Sequence, residues 1–576
     1  MDFSKINLLG VDIFCKDLTA RNVPYADVVK DFKADNTGVT DATESVQNAV
    51  DSLNSIIVFR PGIYKLKSIK IPSFTTLIGY GAKIIADANN VFINNSDGSK
   101  GGYDANKNIT ICGFDFSADA VGQCTEIGFS HCENITIKEC TFHDNSEWHM
   151  IELNSCKNSI IENCFFYNNK VVPDSSEMLQ LDSAVNQSTF PWFGPYDSTP
   201  CKNIKIISCS FDNSMNQIAE NGLNSAIGNH TPADIRNIII SGCTFTGFTK
   251  AIKFVSLYDS EISDCNINNC GCGMLFYGNA ENILVSGNVI VGDKTDDTHS
   301  ENVEKRGIFF DNSKTLTIKN ITVIGNTISN FRNHGISVEC TDGIISNNNI
   351  FNNNYHGIVC GYNSYNVSID NNVVFNNAVN APRKYDIGIN ISGNLTPIGK
   401  IKITHNKCGS LQSYYIAAEA VPGNVSGNIC SGAFDPGIVD NNFFNATYNN
   451  TDSSEYNSEY IRGVVESGSV NYPANSWSVI TSLSIARSGF YYIKGLLTIP
   501  GYSLRATLDI QNCPSVIRST YYCDTEPSTY SLTCSDICYI PSGTLLNLRI
   551  YPTGNIVYLN NAELKAVLLP IDSAIK

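Results

Sequence analysis

The chain has 576 residues, a length that suits several domains or one long solenoid better than a single globular domain. Only 16% of the residues are charged against 42% hydrophobic, and the net charge is −16. This charge argues against nucleic acid and anionic membranes as partners, because phosphate contacts need clustered Lys and Arg. We find no run of eighteen apolar residues and no basic segment leading into an apolar one near the start, so we predict neither a membrane span nor a signal peptide.

A short helix is the first predicted element after residues 1–24, which form an N-terminal segment. Asp41 is a good N-cap, and Glu44 stands three residues later, as in a capping box. The apolar stripe of this helix consists of Val46, Ala49, Val50 and Leu53. We predict that the helix covers the open end of a solenoid, where unpaired strand edges would otherwise associate with other chains.

Residues 25–450 carry a repeat with a basic period of roughly 22–26 residues, which indicates a solenoid. Units such as Asn134-Ile-Thr-Ile-Lys-Glu-Cys-Thr-Phe and Asn237-Ile-Ile-Ile-Ser-Gly-Cys-Thr-Phe alternate apolar and polar residues, and a second short strand such as Met150-Ile-Glu-Leu precedes each Asn. The alternation predicts strands with one face inward, and the absence of helices between them favours a parallel β-helix. The repeated Asn suits the left-handed turn conformation and allows its amide to hydrogen-bond along the stack.

Most of the 21 cysteines share one phase of this repeat. The residues at that phase include Cys112, Cys140, Cys164, Cys209, Cys243 and Cys265. Because residues of one phase stack in a solenoid, we predict buried free thiols that act as small hydrophobic groups rather than disulfides. No paired Cys-x-x-Cys clusters occur, and we predict neither a metal site nor a cofactor.

The segment Val28-Val-Lys-Asp-Phe-Lys-Ala-Asp-Asn-Thr-Gly-Val-Thr-Asp-Ala-Thr-Glu-Ser-Val-Gln-Asn-Ala-Val-Asp resembles the opening of pectin-lyase-like β-helices, especially those of phage tailspikes. The coil Ile56-Ile-Val-Phe-Arg-Pro-Gly-Ile-Tyr matches the same family, and the resemblance covers about residues 25–430. It implies a right-handed parallel β-helix of the tailspike depolymerase type, a place in the phage virion or outside the cell, and a homotrimer.

The repeat fades near Asn450, and residues 451–459 have the composition of a linker. Residues 460–576 contain regular alternating segments such as Gly489-Phe-Tyr-Tyr-Ile-Lys-Gly-Leu-Leu. They predict a C-terminal β-sandwich or jelly roll, so that the whole chain is all-β apart from the short helix. This part is similar to domains that trimerise phage fibres or bind sugar.

Outward residues of successive β-helix strands form columns with a spacing of about 4.8 Å. Alignment of the short strands on their inward Ile or Leu gives a first column of Gly128, Glu152, Gln180, Gly228 and Lys253. The second column is Ser130, Asn154, Asp182, His230 and Val255, with His149 and Glu177 at the strand entrances. Polar residues therefore gather on one face over four coils.

Two long insertions, 183–200 and 213–224, flank this patch, and long insertions in a solenoid usually gather on its functional face. The first contains Trp192, Phe193 and Tyr196, which could stack on sugar rings or pack as a lid over their own loop. Trp148 lies next to the same patch.

The segments Gln180-Leu-Asp182, Ile227-Gly-Asn-His230 and Ala251-Ile-Lys253 resemble a thinned polygalacturonase pattern. That resemblance implies Asp182 as a catalytic carboxylate, His230 as its helper and Lys253 as a contact for a substrate carboxylate. The second aspartate, the glycines beside the histidine and the arginine before the lysine are missing here, which leaves specificity for uronic acids open.

Glycoside hydrolysis needs two carboxyl groups, and crowding raises the pKa of one of them so that it can act as the general acid. The predicted catalytic residues are Asp182, Glu152, Glu177 and His230. The predicted substrate-binding residues are Lys253, Gln180, Asn154, His149, Trp192, Phe193, Tyr196 and Trp148.

Three functions fit these features. The first is a tailspike glycoside hydrolase that binds and cuts a bacterial surface polysaccharide, with phage tail or baseplate proteins as further partners. The second is a polysaccharide lyase on the same fold, in which a base removes the proton beside a uronic carboxylate. The third is a receptor-binding spike without catalysis.

Overall fold

A computed structural model describes most of the chain between residues 25 and 409 and the strands outside that range. The described ranges are 5–8, 11–14, 25–52, 54–89, 91–121, 124–145, 148–170, 177–215, 225–293, 305–311, 317–361, 364–377, 387–391, 401–409, 414–418, 424–426, 429–431, 460–465, 478–484, 489–500, 504–511, 521–523, 529–540, 545–552 and 561–568. The chain divides into two compact units, Met1–Asn449 and Asn450–Lys576.

In the first unit, successive turns of the chain contribute strands to three parallel faces, and these strands pair with the equivalent strands of the neighbouring coils; in the first coil the helix Thr43–Val50 stands where a face 1 strand would follow. This is a right-handed parallel β-helix, as the repeat and the family resemblance predicted. The strands Lys250–Ser263 and Cys272–Ser286 continue around the corner between two faces, which joins those faces into one hydrogen-bonded sheet.

Face 1 carries the candidate site. Its strands are Ile69–Ile71, Val91–Asn95, Thr125–Ser130, Ile151–Asn154, Glu177–Asp182, Ser225–Gly228, the first parts of Lys250–Ser263 and Cys272–Ser286, Ile308–Phe310, Ile336–Val338, Ile358–Cys360, Ile387–Ile391 and Tyr414–Ala418. Face 2 contains Tyr25–Asp27, Ile56–Val58, Thr76–Ile78, Lys107–Cys112, Glu133–Lys138, Lys157–Glu162, Lys202–Ile207, Arg236–Ser241, the second parts of the two long strands, Ile318–Ile324, Thr341–Ser346, Tyr365–Asp370, Ile401–Thr404 and Asn424–Ser426.

Face 3 closes the coil. It contains Thr37–Asp41, Gly62–Leu66, Ala82–Ala86, Asp115–Ser117, Thr141–His143, Phe165–Tyr167, Ser210–Asp212, Thr244–Thr246, Asn266–Cys270, Val289–Gly292, Thr327–Ser329, Asn349–Phe351, Val373–Phe375, Lys407–Gly409 and Ile429–Ser431. The N-terminal segment adds an antiparallel pair, Lys5–Leu8 with Val11–Phe14.

Stacking of equivalent residues along the axis builds the core. The rings of Phe116, Phe142, Phe166, Phe211 and Phe245 stack with centroid distances of 5.1, 4.9, 4.5 and 5.1 Å. The cysteines of the described coils are buried and free, which confirms the predicted thiol column. In the later coils the same position is an asparagine, and Asn326, Asn348 and Asn372 each donate to the next asparagine at 2.9–3.0 Å.

The turn asparagines behave as predicted. Asn134, Asn203 and Asn237 have φ values of 60°, 54° and 53°, which lie in the left-handed region. Their side chains donate to the asparagine of the previous coil, as Asn237 does to Asn203 at 2.8 Å. Each amide pair fixes the register between neighbouring coils.

The predicted helix spans Thr43–Val50, and its buried residues join the core of the first coils. The N-cap is Ala42, so the prediction of Asp41 as the cap is wrong. Asp41 ends a face 3 strand and accepts the backbone N–H of Thr43 at 2.9 Å, one position too early for a capping box. Leu53 lies outside the described residues.

The second unit contains two antiparallel four-stranded sheets. The first has the order Tyr460–Val465, Asn561–Leu568, Gly489–Pro500 and Thr529–Ile540, and the second Ser478–Ser484, Leu545–Pro552, Leu504–Gln511 and Tyr521–Cys523. These strands agree with an all-β chain, while the sandwich or jelly roll stays a prediction. The linker 451–459 lies outside the described residues. No helix in the part of the chain that the structure describes has the length and hydropathy to cross a bilayer.

Candidate functional site

A patch of polar side chains, here called the polar window, lies on face 1 between two apolar clusters. Strand pairing aligns Gly128 with Glu152, Glu152 with Gln180, Gln180 with Gly228 and Gly228 with Lys253, as the alignment of the repeat predicted. The lower cluster consists of Val91, Phe190 and Phe193, and the upper one of Cys272, Leu275 and Phe309 with Tyr277 packed against it. Because both clusters are apolar, the window is confined to four coils.

A corner in the chain decides which side chains enter the window. In four strands of face 1, the residue directly before the inward Ile or Leu is also buried in the core. These residues are Met150, Met178, Ala226 and Ala251. The position before each of them therefore faces outward, and it holds His149 and Glu177. Two adjacent apolar residues, as in Met150-Ile and Met178-Leu, are the sequence signal for this corner, because they break the alternation of inward and outward residues.

The same corner turns Glu126 into the core. Its side chain is fully buried, with Asn145 beside the carboxyl group. Burial raises the pKa of Glu126 well above its usual range. Glu126 is therefore a core residue whose burial favours the uncharged form.

Glu177 is the buried centre of the window, with no exposed surface. Nε2 of His230 donates to Glu177 Oε2, and Nζ of Lys253 lies 3.5 Å from Glu177 Oε1. Burial alone would raise the pKa of Glu177, but His230, Lys253 and His149 outweigh it and lower the pKa to about 2. The Glu177 carboxylate is thus ionised throughout the neutral range.

His230 covers Glu177 from the solvent side, and its own side chain is 18% exposed. Burial opposes its protonation, but the attraction of Glu177 and Asp182 outweighs burial and raises the pKa of His230 above its usual value. Gln180 lies on the other ring nitrogen, with its Nε2 at 3.4 Å from His230 Nδ1. The imidazole is therefore fixed between an anion and an amide.

His149 contacts Glu177 from the preceding coil. Its Nδ1 donates to the Glu177 carbonyl oxygen at 2.7 Å, and its ring centroid lies 5.6 Å from that of His230. Burial lowers the pKa of His149 to about 4, so this imidazole is neutral.

Glu152 is the second carboxyl of the window, one strand below Gln180. Asn154 donates to its Oε1 at 2.9 Å and Thr125 to its Oε2 at 3.2 Å. Burial raises the pKa of Glu152 to about 7, against the effect of these two hydrogen bonds, which lower it. Asn154 itself is buried, so its amide orients Glu152 from within the protein.

Asp182 has an environment that its sequence context does not show. It is fully buried, and its Oδ2 accepts the backbone N–H groups of His230 and Thr231 at 2.7 and 3.3 Å and Gln180 Nε2 at 3.1 Å. Its Oδ1 accepts the N–H of Ser183 at 2.8 Å and the hydroxyl of Thr231. Five donors therefore saturate both oxygens, and Asp182 anchors the segment that carries His230.

Gly228 provides the space in which these groups meet. A Cβ there would lie 2.3 Å from the Lys253 carbonyl oxygen and 3.1 Å from Glu177 Cγ. The missing side chain lets Glu177, His230 and Lys253, which come from three different coils, come within contact distance.

The insertion 183–200 forms one wall of the site. Phe193 packs into the space above Gly128 and is buried, and Tyr196 donates from its hydroxyl to the Phe190 carbonyl at 3.0 Å. Both residues therefore pack within their own loop, which is the second of the two alternatives that the sequence left open, and their contact with sugar stays a prediction. Trp192 is 54% exposed, and its ring centroid lies 6.4 Å from that of Trp148.

A cavity of about 400 Å³ lies beyond the ends of the window strands. It is lined by Val185, Ser198, Pro200, Pro232, Ala233 and Asp234. Pro232 follows His230 by two residues, so the cavity is adjacent in the chain to the residues that end the window. The insertion 213–224 is described only as far as residue 215.

The sequence analysis predicted no metal site, but the window contains a set of potential metal ligands. One ligand atom each of His149, Glu177 and His230 lies within 4.8 Å of the others. These residues are 28 and 53 positions apart in the chain, so no local spacing motif could reveal them.

No protein-family model matches the chain, and no curated protein matches it either. Among solved structures, it is similar to tailspike protein 3 of bacteriophage CBA120, with 13% identity and a TM-score of 0.49 over 71% of this chain and 62% of that one. A tailspike mutant of E. coli bacteriophage HK620 in complex with a pentasaccharide gives 13% identity and a TM-score of 0.48 over 97% and 95%. A ι-carrageenase with ι-carrageenan fragments gives 14% and 0.34 over 45% and 58%. At these identities and TM-scores, the similarities carry no argument about the activity of this chain.

Proposed function

We propose that the protein is a glycoside hydrolase of the tailspike type, which cuts a bacterial surface polysaccharide at the polar window. The observation that carries this proposal is the pair Glu152 and Glu177. These carboxyls lie on neighbouring strands of one face, and their surroundings move their pKa values apart, to about 7 and about 2. One protonated and one ionised carboxyl on the same surface are what acid–base hydrolysis of a glycosidic bond requires.

Glu152 serves as the general acid in this proposal. Its carboxyl proton passes to the glycosidic oxygen as the bond from that oxygen to the anomeric carbon breaks. The Asn154 and Thr125 contacts fix the direction of the carboxyl group. The leaving sugar departs as a neutral alcohol, and Glu152 is left as a carboxylate.

Glu177 and His230 form the basic half of the site as a coupled pair. A water molecule bonds through its oxygen to the anomeric carbon, and its proton passes to this pair. Glu177 holds the negative charge, and the partly exposed His230 is the member that faces solvent. Transfer of the proton to Glu152 through solvent restores the starting state, so that each cut consumes one water.

Asp182 is a positioning residue in this assignment. Its five hydrogen bonds hold His230 and Thr231, and its carboxylate has no free oxygen for substrate. The resemblance to polygalacturonases made Asp182 the leading catalytic candidate, whereas the geometry favours Glu152 and Glu177.

Trp192, which is exposed, and the half-buried Trp148 beside it are the best-placed residues for sugar contact, because aromatic rings present flat apolar surfaces to pyranose faces. The cavity beyond the window has a volume within the range of ligand pockets and offers room for a neighbouring sugar. Lys253 and Gln180 lie in the same column of the window, on either side of Gly228, and are proposed as further substrate contacts.

The remaining parts of the proposal concern assembly and location. We propose that the β-helix of residues 25–450 is the catalytic domain, and that residues 460–576 serve oligomerisation or glycan binding in a homotrimer. A phage tail or an extracellular location follows from the tailspike-like opening of the chain. Light scattering tests the trimer, since a monomer mass would contradict it.

Product analysis by mass spectrometry tests the activity. The protein is incubated with a panel of bacterial surface polysaccharides, and we expect oligosaccharides that gain one water per cut. Glu152→Gln should retain binding and lose product release. Unsaturated products would replace the hydrolase with a lyase, and binding of a polymer without cleavage would leave a receptor-binding spike.

A further inference from the structure

We propose that the polar window also binds a divalent transition-metal ion, with Zn²⁺ as the probe, through His149, Glu177 and His230, and that this ion blocks hydrolysis. The binding part stands on geometry alone. The inhibitory part rests on the proposed function, because it needs Glu177 and His230 to be the basic half of the active site.

Two imidazoles and one carboxylate are a ligand set that zinc sites with an open fourth position use. The ligand atoms of the three residues lie within 4.8 Å of one another. Bonds of about 2.0–2.1 Å in tetrahedral geometry need a separation of about 3.3 Å between ligand atoms. Binding therefore needs the three ligand atoms, which now lie within 4.8 Å of one another, to adjust to that separation.

His149 is held in the orientation that metal-binding histidines usually have. Its Nδ1 donates to the Glu177 carbonyl oxygen at 2.7 Å. A carbonyl oxygen can only accept, so Nδ1 carries the hydrogen and the Nε2 atom carries the lone pair. A backbone carbonyl on the other ring nitrogen is the support that zinc-binding histidines commonly receive.

His230 and Glu177 already point at each other, because His230 Nε2 donates to Glu177 Oε2. A metal ion placed between these two atoms takes the position of the hydrogen that they now share. The exchange releases the proton to solvent and binds both atoms to one cation.

Lys253 opposes this binding. Its Nζ lies 3.5 Å from Glu177 Oε1, so the ammonium group already neutralises part of the carboxylate and repels a second cation. The structure therefore predicts a site whose affinity rises when Lys253 loses its charge. This gain distinguishes the three-residue site from unspecific binding, which the loss of a lysine would change far less.

Inhibition follows from the same contacts. With a metal ion on Glu177 and His230, neither residue can take the proton of the attacking water. Glu152 has no part in the ligand set, so the ion does not bind the general acid directly.

Calorimetry with ZnCl₂ on the chelator-treated full chain tests the site. We expect one ion per chain, with affinity at least about tenfold weaker in His149→Gln and in His230→Gln. Lys253→Met should bind more tightly. Glu152→Gln is the matched control, because it removes a neighbouring carboxyl of the window that is not a ligand, and its affinity should equal that of the wild type.

Several results would overturn the proposal. An absence of one-to-one binding, or equal affinity in wild type and His149→Gln, would refute the site. Weaker binding in Lys253→Met would refute it as well, and this variant does not depend on the loss of a ligand. Zinc-insensitive cleavage with an intact binding site would refute the inhibition alone. If the protein cuts no polysaccharide, the proposed function fails, while calorimetry still decides the site.

Discussion

The same coils carry two carboxylate–imidazole clusters, one on face 1 and one on face 3. On face 3, His143 donates to Asp144 at 2.6 Å and to Asp115 at 2.7 Å and stacks on Tyr167 with a centroid distance of 4.8 Å. On face 1, Glu177 lies between His230 and Lys253. The pairings are similar, but Asp115 is 45% exposed whereas Glu177 has no exposed surface.

The comparison indicates that the burial of the carboxylate, more than the identity of the paired residues, decides whether a carboxylate–imidazole contact is structural or reactive. On face 3 water solvates the carboxylates, and the cluster joins two neighbouring coils. On face 1 desolvation strengthens every interaction, which moves the pKa values of Glu152 and Glu177 in opposite directions. Five predictions break or sharpen this contrast.

The largest expected effect is on catalysis. Glu152→Gln and Glu177→Gln should each lower kcat by roughly 1000-fold or more, because each removes one half of the acid–base pair. Asp115→Asn, which alters the matched cluster on face 3, should leave kcat within about twofold of the wild type. Initial rates on one cleaved polysaccharide measure all three. Comparable losses in all three variants would remove the distinction between the clusters.

The pH dependence of the rate comes next. Glu152 must be protonated to act as the acid, and its pKa is about 7. We expect kcat to fall about tenfold per pH unit above that value, because the fraction of protonated Glu152 falls by that factor. A rate profile with stability controls measures this. A kcat that rises through pH 8 would contradict the assignment of Glu152.

The third effect concerns the anchor. Asp182→Asn should lower the free energy of unfolding by about 3 kcal/mol, because it removes a buried charge from five donors and places an amide against N–H groups. Urea unfolding monitored by circular dichroism measures the change. Unchanged stability together with lost catalysis would return Asp182 to the catalytic set.

The fourth effect is a gain in stability. Glu126→Met should raise the free energy of unfolding by about 1–2 kcal/mol, since it replaces a buried carboxyl with the residue that the next two coils have at this position. The folded-state pKa of Glu126 lies above its unfolded value. Its contribution is thus present at low pH and is lost as the pH rises through the folded-state pKa, so the gain should grow with pH. A gain that shrinks with pH would contradict the raised pKa of the buried carboxyl.

The smallest effect is on face 3. Burial opposes the protonation of His143, but Asp115 and Asp144 outweigh it and raise the pKa of His143. The contact therefore stabilises the fold below the usual histidine pKa and weakens as the pH rises through the higher folded-state value. His143→Gln should cost on the order of 1 kcal/mol at pH 5.5 and less at pH 9, by thermal unfolding. An equal cost at both pH values would show that the charge plays no part.

The sequence by itself determined the β-helix and the outward columns. Its repeat places Glu152, Gln180, Gly228 and Lys253 in line, because strands one coil apart must pair in register to bury their Ile and Leu residues. It also placed the cysteines inside and the asparagines at the turns, since every coil presents the same local geometry to the residue at a given phase.

Only the tertiary structure decided which residues in and beside these columns face outward, which are buried and which are saturated by hydrogen bonds. The corner before each inward residue turned His149 and Glu177 outward and Glu126 inward. Five donors closed around Asp182, and Phe193 and Tyr196 were used to build their own loop. These outcomes depend on contacts between residues from different coils and insertions, whose distances are set by packing and desolvation and leave no trace in the local sequence pattern.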